Sequence, residues 1–370
     1  MSNPIQNTYI PDVVSPPGET LLEILRERGM SQAELAERTG RPKKTINEII
    51  KGKAALTPET AIQLERVLGT PSSFWNNREQ NFREWLARQD ERKSLAEYIP
   101  WMKKFPLRAM IKMGWITESD DTISQLEELL RYLAVASPIQ WHTMLQGTQW
   151  RQSATFAADP AAVTVWLRQG QIQAGRISCA PYDETRFREA LHQIRELTTQ
   201  TPQSFIKQMT GLCAQAGVAV VFVPEIPGTR TCGATRWLTS NKALIMLSLR
   251  YKTDDHLWFT FFHEAAHILL HGKREVFLED ADEVSEDVYI KEVEADRFAA
   301  EFLIPSEEIE RFLPGGEHYS HEDIVEFARH LGIAPGIVVG RMQHDGILPP
   351  QNFNRLKQRF HWVIEKDEKL

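Results

Sequence analysis

From Leu257 to Leu270 the chain runs almost unbroken through apolar and aromatic side chains, and His263, Glu264 and His267 are among its few polar residues. Trp258-Phe259-Thr260-Phe261-Phe262 precedes them and Ile268-Leu269-Leu270 follows. A helix this apolar must be buried on most sides, and buried polar groups are costly unless something satisfies them. Two histidines four residues apart project from one face of a helix about one turn apart, so both imidazoles can bind one ion. Glu264 is offset around the helix, beside such an ion rather than on it. There a carboxylate can take a proton from a water that the ion activates. The segment therefore predicts a long helix over about 255–271 that carries a hydrolytic zinc site. A bare H-E-x-x-H occurs by chance in many helices; the apolar flanks are what give this one weight over a satisfied histidine pair.

Two histidines leave a hydrolytic zinc one protein ligand short. The next acidic helix, about 288–303, offers Glu292-Val293-Glu294-Ala295-Asp296-Arg297-Phe298-Ala299-Ala300. Glu294, 27 residues beyond His267, is the choice made from sequence, with Phe298 and Ala299 marking the buried side and Glu292 as the alternative. Asp296 is the candidate to orient a ligand imidazole through its other nitrogen. Tyr251, or Arg250 beside it, is a candidate donor to a tetrahedral oxyanion; packing at a strand end is the plainer role. His271 reads as a residue near the helix end, where a cation is favoured. The Zn2+ assignment rests on the ligand types, and other divalent metals accept such N/O donors.

The remaining chain is organised by turn signals. Ser31-Gln32-Ala33-Glu34 reads as a capping box opening a helix to about Thr39, with Gly40 as its stop. Pro42 begins the next helix, to about Lys51, and Gly52 ends it. Thr57-Pro58 opens another, with Ala61, Leu64, Val67 and Leu68 on one face. Residues 72–210 read as mostly helical and rich in tryptophan, from Trp75 to Trp166, without a metal cluster, phosphate loop or nucleophile motif. Residues 218–223 and 243–248 are short apolar runs that predict two strands. Residues 224–233 read as a Gly/Pro/Thr loop and 275–287 as an acidic one.

The formal net charge is −7, so any contact with nucleic acid must come from a local patch. Residues 41–53 supply one: Arg41, Lys43, Lys44, Lys51 and Lys53 against Glu48 give a net charge of +4. Helices 31–39 and 42–51 then read as a helix-turn-helix with the second in the major groove. Lys43, Lys44 and Thr45 stand at its N-terminal end, and Asn47 can pair bidentately with adenine. Leu35, Ala36, Ile46, Ile49 and Ile50 form the buried side. A solvated lysine cluster on a helical bundle is the bland alternative. Three scattered cysteines, the absence of a signal-peptide core in residues 1–9 and of an apolar run near 18 residues predict a cytoplasmic, nucleoid-associated bacterial protein with no membrane contact.

Two resemblances sharpen these readings. Pro17-Gly18-Glu19, Ser31 to Ala36, Thr45 to Lys53 and Leu56 to Ala61 resemble the HigA-type antitoxins of the XRE, lambda-repressor-like class, over about residues 16–85. That resemblance implies a five-helix domain, a homodimer on a palindromic double-stranded DNA operator, and repression of its own operon. Gly228-Thr229-Arg230, Gly233 to Trp237, Leu247 to Tyr251, His263 to Gly272, Glu294 to Ala299 and Ile304-Pro305 resemble the ImmA/IrrE metallopeptidases over about residues 205–345. That one implies a zincin-like (gluzincin) fold with His263, His267 and Glu294 as ligands and Glu264 as base. It also implies proteolysis of a helix-turn-helix repressor as a switch.

The expected fold is thus mainly α with a small α+β part. Its parts are an arm (1–16), a helix-turn-helix domain (17–85), a helical connector or sensor (86–204), a zinc peptidase domain (205–345) and a tail (346–370). Three functions stay open at this level, one of them a constitutive peptidase that uses the DNA-binding domain only for placement. Another is a DNA-binding regulator whose zinc endopeptidase cleaves a partner repressor or its own chain on a signal. The third is an antitoxin-like autorepressor whose metal domain is sensory, structural or toxin-binding.

Overall fold

A computed structural model describes residues 14–146, 159–272, 276–278, 286–313 and 319–363. Most of the expected N-terminal arm, Trp150, most of the acidic 275–287 segment and the polar end from Lys366 lie outside them. The chain divides into two compact units, residues 1–99 and 100–370.

The first unit is built from α1 (Pro17–Glu27), α2 (Gln32–Thr39), α3 (Lys43–Ile50), α4 (Pro58–Leu68) and α5 (Ser72–Leu95). Most local signals act as the sequence suggests, but the capping box expected at Ser31 is only half made, since the Glu34 side chain turns to Arg38 instead of back to Ser31. The Ser31 side chain accepts from the Glu34 amide at 3.1 Å, and Gly40 ends α2 in the left-handed region. The Glu34 carboxylate turns to Arg38 at 2.6 Å. Pro42 caps α3, and Thr57 caps α4 with Pro58 in its first turn. Leu21, Leu25, Leu35, Ala36, Ile46, Ile49, Leu64 and Trp75 close one core among the five helices. A Cβ on Gly18 would sit 2.3 Å from the Ile49 carbonyl oxygen, so only glycine lets α1 and α3 approach this closely. Helix α5 is continuous to Leu95, ten residues past the boundary expected at 85.

The second unit continues through α6 (Ile99–Met102), α7 (Leu107–Lys112), α8 (Thr122–Leu133), α9 (Pro138–Gln146), α10 (Pro160–Gly175), α11 (Glu184–Glu196) and α12 (Pro202–Gln215). A sheet and its covering helices follow: β1 (Val218–Phe222), β2 (Gly233–Thr239), β3 (Lys242–Leu247), α13 (Asp254–Leu270), β4 (Val276–Leu278), α14 (Glu286–Leu303), α15 (Ser306–Phe312), α16 (His321–Leu331) and α17 (Pro335–His344). The strand order is β1-β3-β2-β4, with β1 parallel to β3 and the other pairs antiparallel.

The strands alternate cleanly between two cores. Val218 and Val220 of β1 and Ala243, Ile245 and Leu247 of β3 face the core that holds α12 and α13. Ala219, Val221, Leu244 and Met246 face α10 through Val163, Trp166 and Leu167. Both faces are covered, which is why both strands read as unbroken apolar runs.

Three expectations change. The region taken as a connector contributes α10 and α11 to these two cores, and the Trp166 indole donates to the Val223 carbonyl at 3.1 Å. Strand β2, with its polar Thr235 and Arg236, escaped the apolar-run criterion, and β4 lies in the segment read as a loop. The expected tail is structural as far as it is described: Leu348 and Phe360 are buried in the larger core, and Thr253 pairs with Arg359.

Candidate metal centre and nucleic-acid interface

Helix α13 lies between the sheet and helices α14 and α17. Asp254 and Asp255 occupy its first turn, where the helix dipole favours negative charge. Trp258, Phe261 and Phe262 are fully buried, and the polar residues travel inward with them: His263 is 2% exposed, Glu264 0% and His267 1%.

The two imidazoles converge. His263 Nε2 and His267 Nε2 stand 3.0 Å apart, and one carboxylate closes the group, Glu292 Oε2 lying 3.1 Å from His263 Nε2 and Glu292 Oε1 3.5 Å from His267 Nε2. The donor atoms of His263, His267 and Glu292 all lie within 4.8 Å of one another. Burial pushes His267 down to about 4, helped by the neighbouring histidines and against the pull of Glu292. Burial raises Glu292, but hydrogen bonds to His263 and His267 outweigh it and hold the carboxyl down to about 2. Neutral imidazole and ionised carboxylate are the donor states a metal requires, and two nitrogens with one carboxylate suit zinc. The residues present therefore fit the ion that the motif implies.

The carboxylate that this geometry brings to the two imidazoles is Glu292, the alternative weighed from sequence. Glu294, chosen from sequence, is not in the cluster; its carboxylate meets His271 Nε2 at 3.1 Å. Glu292 takes the place because it and Asp296 are four apart on α14 and share a face, whereas Glu294 is rotated about 200° from Glu292. Asp296 Oδ1 lies 2.8 Å from His263 Nδ1, the second nitrogen of that ring. The signal was present in the sequence as a Glu-x-x-x-Asp pair.

Glu264 is enclosed by the sheet. Thr235 of β2 donates its hydroxyl to the Glu264 carbonyl at 3.0 Å. A Cβ on Gly233 would lie 2.5 Å from Glu264 Oε1, so glycine at the start of β2 leaves room for the carboxylate. Neither residue had been singled out as a functional candidate, because their relation to Glu264 exists only once β2 lies against α13. Tyr251 is 47% exposed and stacks on His256 with 4.2 Å between ring centroids. His256 precedes His263 by two helical turns, about 10 Å along the axis.

In the first unit α3 presents Lys43 and Lys44 to solvent, with Lys51 exposed just beyond it. Lys44 approaches Glu48 at 3.9 Å. Thr45 and Asn47 are half-buried, and the Asn47 amide reaches Gln32 Oε1 of α2 at 3.5 Å. Arg41 donates from Nε to Gln63 of α4 at 2.7 Å, which ties it to the bundle. Ile46 and Ile49 fill the core on the opposite side of α3.

Known proteins match along the same two regions. Residues 21–75 match a family model described as helix-turn-helix, and residues 216–343 match a peptidase-family model described as the IrrE N-terminal-like domain. The HTH-type transcriptional regulator YddM of Escherichia coli K12 is 39% identical over 61 residues, 16% of this chain and 65% of that relative's length. An antidote protein of a plasmid maintenance system from Nostoc punctiforme is 31% identical, covering 22% of this chain and 91% of that one, with a TM-score of 0.22. An addiction-module antidote protein of the HigA family from Coxiella burnetii is 27% identical over 23% of this chain and 92% of that one, with a TM-score of 0.21. The chain thus carries a region that matches helix-turn-helix domains and a second region that matches IrrE-like peptidase domains.

Proposed function

We propose that the second unit hydrolyses peptide bonds with a zinc ion held by His263, His267 and Glu292, and that the first unit delivers this activity to an operator. The observation that carries the reading is the buried convergence of two imidazoles and a carboxylate beside a fully enclosed Glu264. The ion, when bound, supplies a Lewis acid that polarises the scissile carbonyl and lowers the pKa of water. Everything else falls to the chain's own groups. Glu264 is the general base: it accepts the proton of the attacking water and returns it to the leaving amine. Asp296 holds His263 through Nδ1. Gly233 and Thr235 keep Glu264 in place from the sheet side, and the aromatic residues around α13 exclude bulk water.

The substrate in this reading is a protein, either a partner repressor or the chain itself. The DNA-binding form is a homodimer on a palindromic operator, since a helix-turn-helix ordinarily reads paired half-sites about one helical turn apart. Lys43, Lys44, Lys51 and Arg41 serve phosphates, while Thr45 and Asn47 serve base edges.

The decisive comparison is wild type against Glu264→Gln, both zinc-loaded, on a library of peptides made from a bacterial proteome and read by mass spectrometry. Cleavage products that the substitution removes, with zinc still bound, are the expected result; the loss should be about 10²–10⁴-fold. Identical product lists would end the peptidase reading and leave a regulator whose metal domain senses or binds a partner.

A further inference from the structure

A ligating imidazole gives one nitrogen's lone pair to the metal and keeps its proton on the other, so whatever stands behind the second nitrogen fixes the tautomer and the ring angle. His263 and His267 meet this need differently. Behind His263 Nδ1 stands Asp296 directly. Behind His267 Nδ1 stands His271 Nδ1 at 2.8 Å, and His271 Nε2 in turn meets Glu294 Oε2 at 3.1 Å. If His267 presents a bare Nε2 to the cluster, this chain has one consistent polarity. His267 Nδ1–H donates to His271 Nδ1, and His271 Nε2–H donates to the Glu294 carboxylate, which only accepts.

We propose that His271 and Glu294 are positioning residues, a two-member outer chain that fixes the tautomer and orientation of His267 as Asp296 does for His263. The inference rests on the reading of His263, His267 and Glu292 as the ligand set. The backbone supports it. His271 leaves α13 in an extended conformation (φ −115°, ψ 165°), and its amide still donates to the His267 carbonyl at 3.2 Å. The ring is therefore returned to the residue one turn back. The Glu294 side chain is 55% exposed, so core packing does not account for where it lies. An isolated surface pair of this kind would contribute little; here the far nitrogen of the histidine is committed to a residue of the cluster.

Two measurements on the full chain test this. One is zinc affinity by competition with a chelator. The other is the ¹⁵N spectrum of the histidine rings in the metal-free protein, which reports which His267 nitrogen carries the proton. Glu294→Ala is expected to keep about one zinc per chain with affinity lowered 10–100-fold, and to turn the single His267 tautomer into a mixture. Glu294→Gln, whose amide oxygen still accepts from His271, should restore most of both, whereas Glu292→Ala should lose the ion. Wild-type affinity and tautomer in Glu294→Ala would overturn the proposal, and so would loss of zinc as complete as in Glu292→Ala, which would make Glu294 a ligand. If the wild type binds no zinc, the metal reading fails separately, and the His267 tautomer in Glu294→Ala still decides the outer chain: a mixture supports it, no change overturns it.

Discussion

Glu292, Glu294 and Asp296 lie within five residues of one helix, and their environments separate them. Glu292 is largely enclosed and shares its oxygens between His263 and His267. Asp296 is more exposed and touches only the outer nitrogen of His263 among its described contacts. The distinction predicts different failures. Asp296→Asn leaves His263, His267 and Glu292, the proposed ligands, in place. It should lower zinc affinity about 10–100-fold without abolishing binding, measured by chelator competition. Unchanged affinity would show that the hydrogen bond does not orient the ring. From sequence, Asp296 was expected behind a ligand imidazole, Glu294 was chosen as the ligand and Glu292 was its alternative. Counting residues past His267 selects a neighbourhood, whereas the choice between Glu292 and Glu294 needs the helix face that meets α13.

Among the elements, α3 is the one whose two sides have separate tasks. Ile46 and Ile49 anchor it, while Lys43, Lys44, Thr45 and Asn47 lie towards the other side. Lys44→Ala should weaken binding to any duplex about equally and reduce the salt slope of log K by about 0.9. Asn47→Ala should instead erode discrimination between sites, by about 1–3 kcal/mol at one base pair. Titrations of one operator and one unrelated duplex at several salt concentrations distinguish the two; equal losses on both sequences would remove Asn47 from base reading. The approach of α1 to α3 depends on Gly18. Gly18→Ala places a methyl group 2.3 Å from the Ile49 carbonyl oxygen. It should destabilise the first unit by about 1–3 kcal/mol, seen as a lower midpoint in denaturant.

For the molecule as a whole, each unit closes its own core, and among the described residues no helix is long and apolar enough to cross a membrane. The second unit also buries a carboxyl group away from the His263, His267 and Glu292 cluster. Asp254 is 2% exposed, and its Oδ1 accepts from the amides of Asp255 and Gln358 at 3.0 Å each. Burial first, then the neighbouring Asp255, push its carboxyl up to about 7. An unfolded aspartate titrates near about 3.9, so the fold favours the protonated form. The contribution to stability is complete below about pH 4 and is lost as pH rises through about 7, at no more than about 1.4 kcal/mol per pH unit. Asp254→Asn should therefore gain stability relative to wild type across that window, as followed by unfolding at several pH values. Parallel curves for the two proteins would show that Asp254 is ionised in the fold at no such cost.

Short-range chemistry was legible in the chain itself. Ser31, Gly40, Pro42 and Thr57 set the ends of α2, α3 and α4, because a cap or a left-handed stop involves only residues a few positions apart. The apolar runs fixed β1 and β3, and the aromatic flanks of His263 and His267 announced a buried polar site. What tertiary structure decided was every relation that crosses elements. Strand β2 is half polar and exists by pairing with β3; α10 belongs to the sheet because Val163, Trp166 and Leu167 cover its second face. The same holds at the centre: α13 fixes two donors, and the packing of α14 against it brings Glu292 to the pair and sends Glu294 to His271. Periodicity along one helix says which side chains share a face, but only the docking of a second helix says which face looks inward.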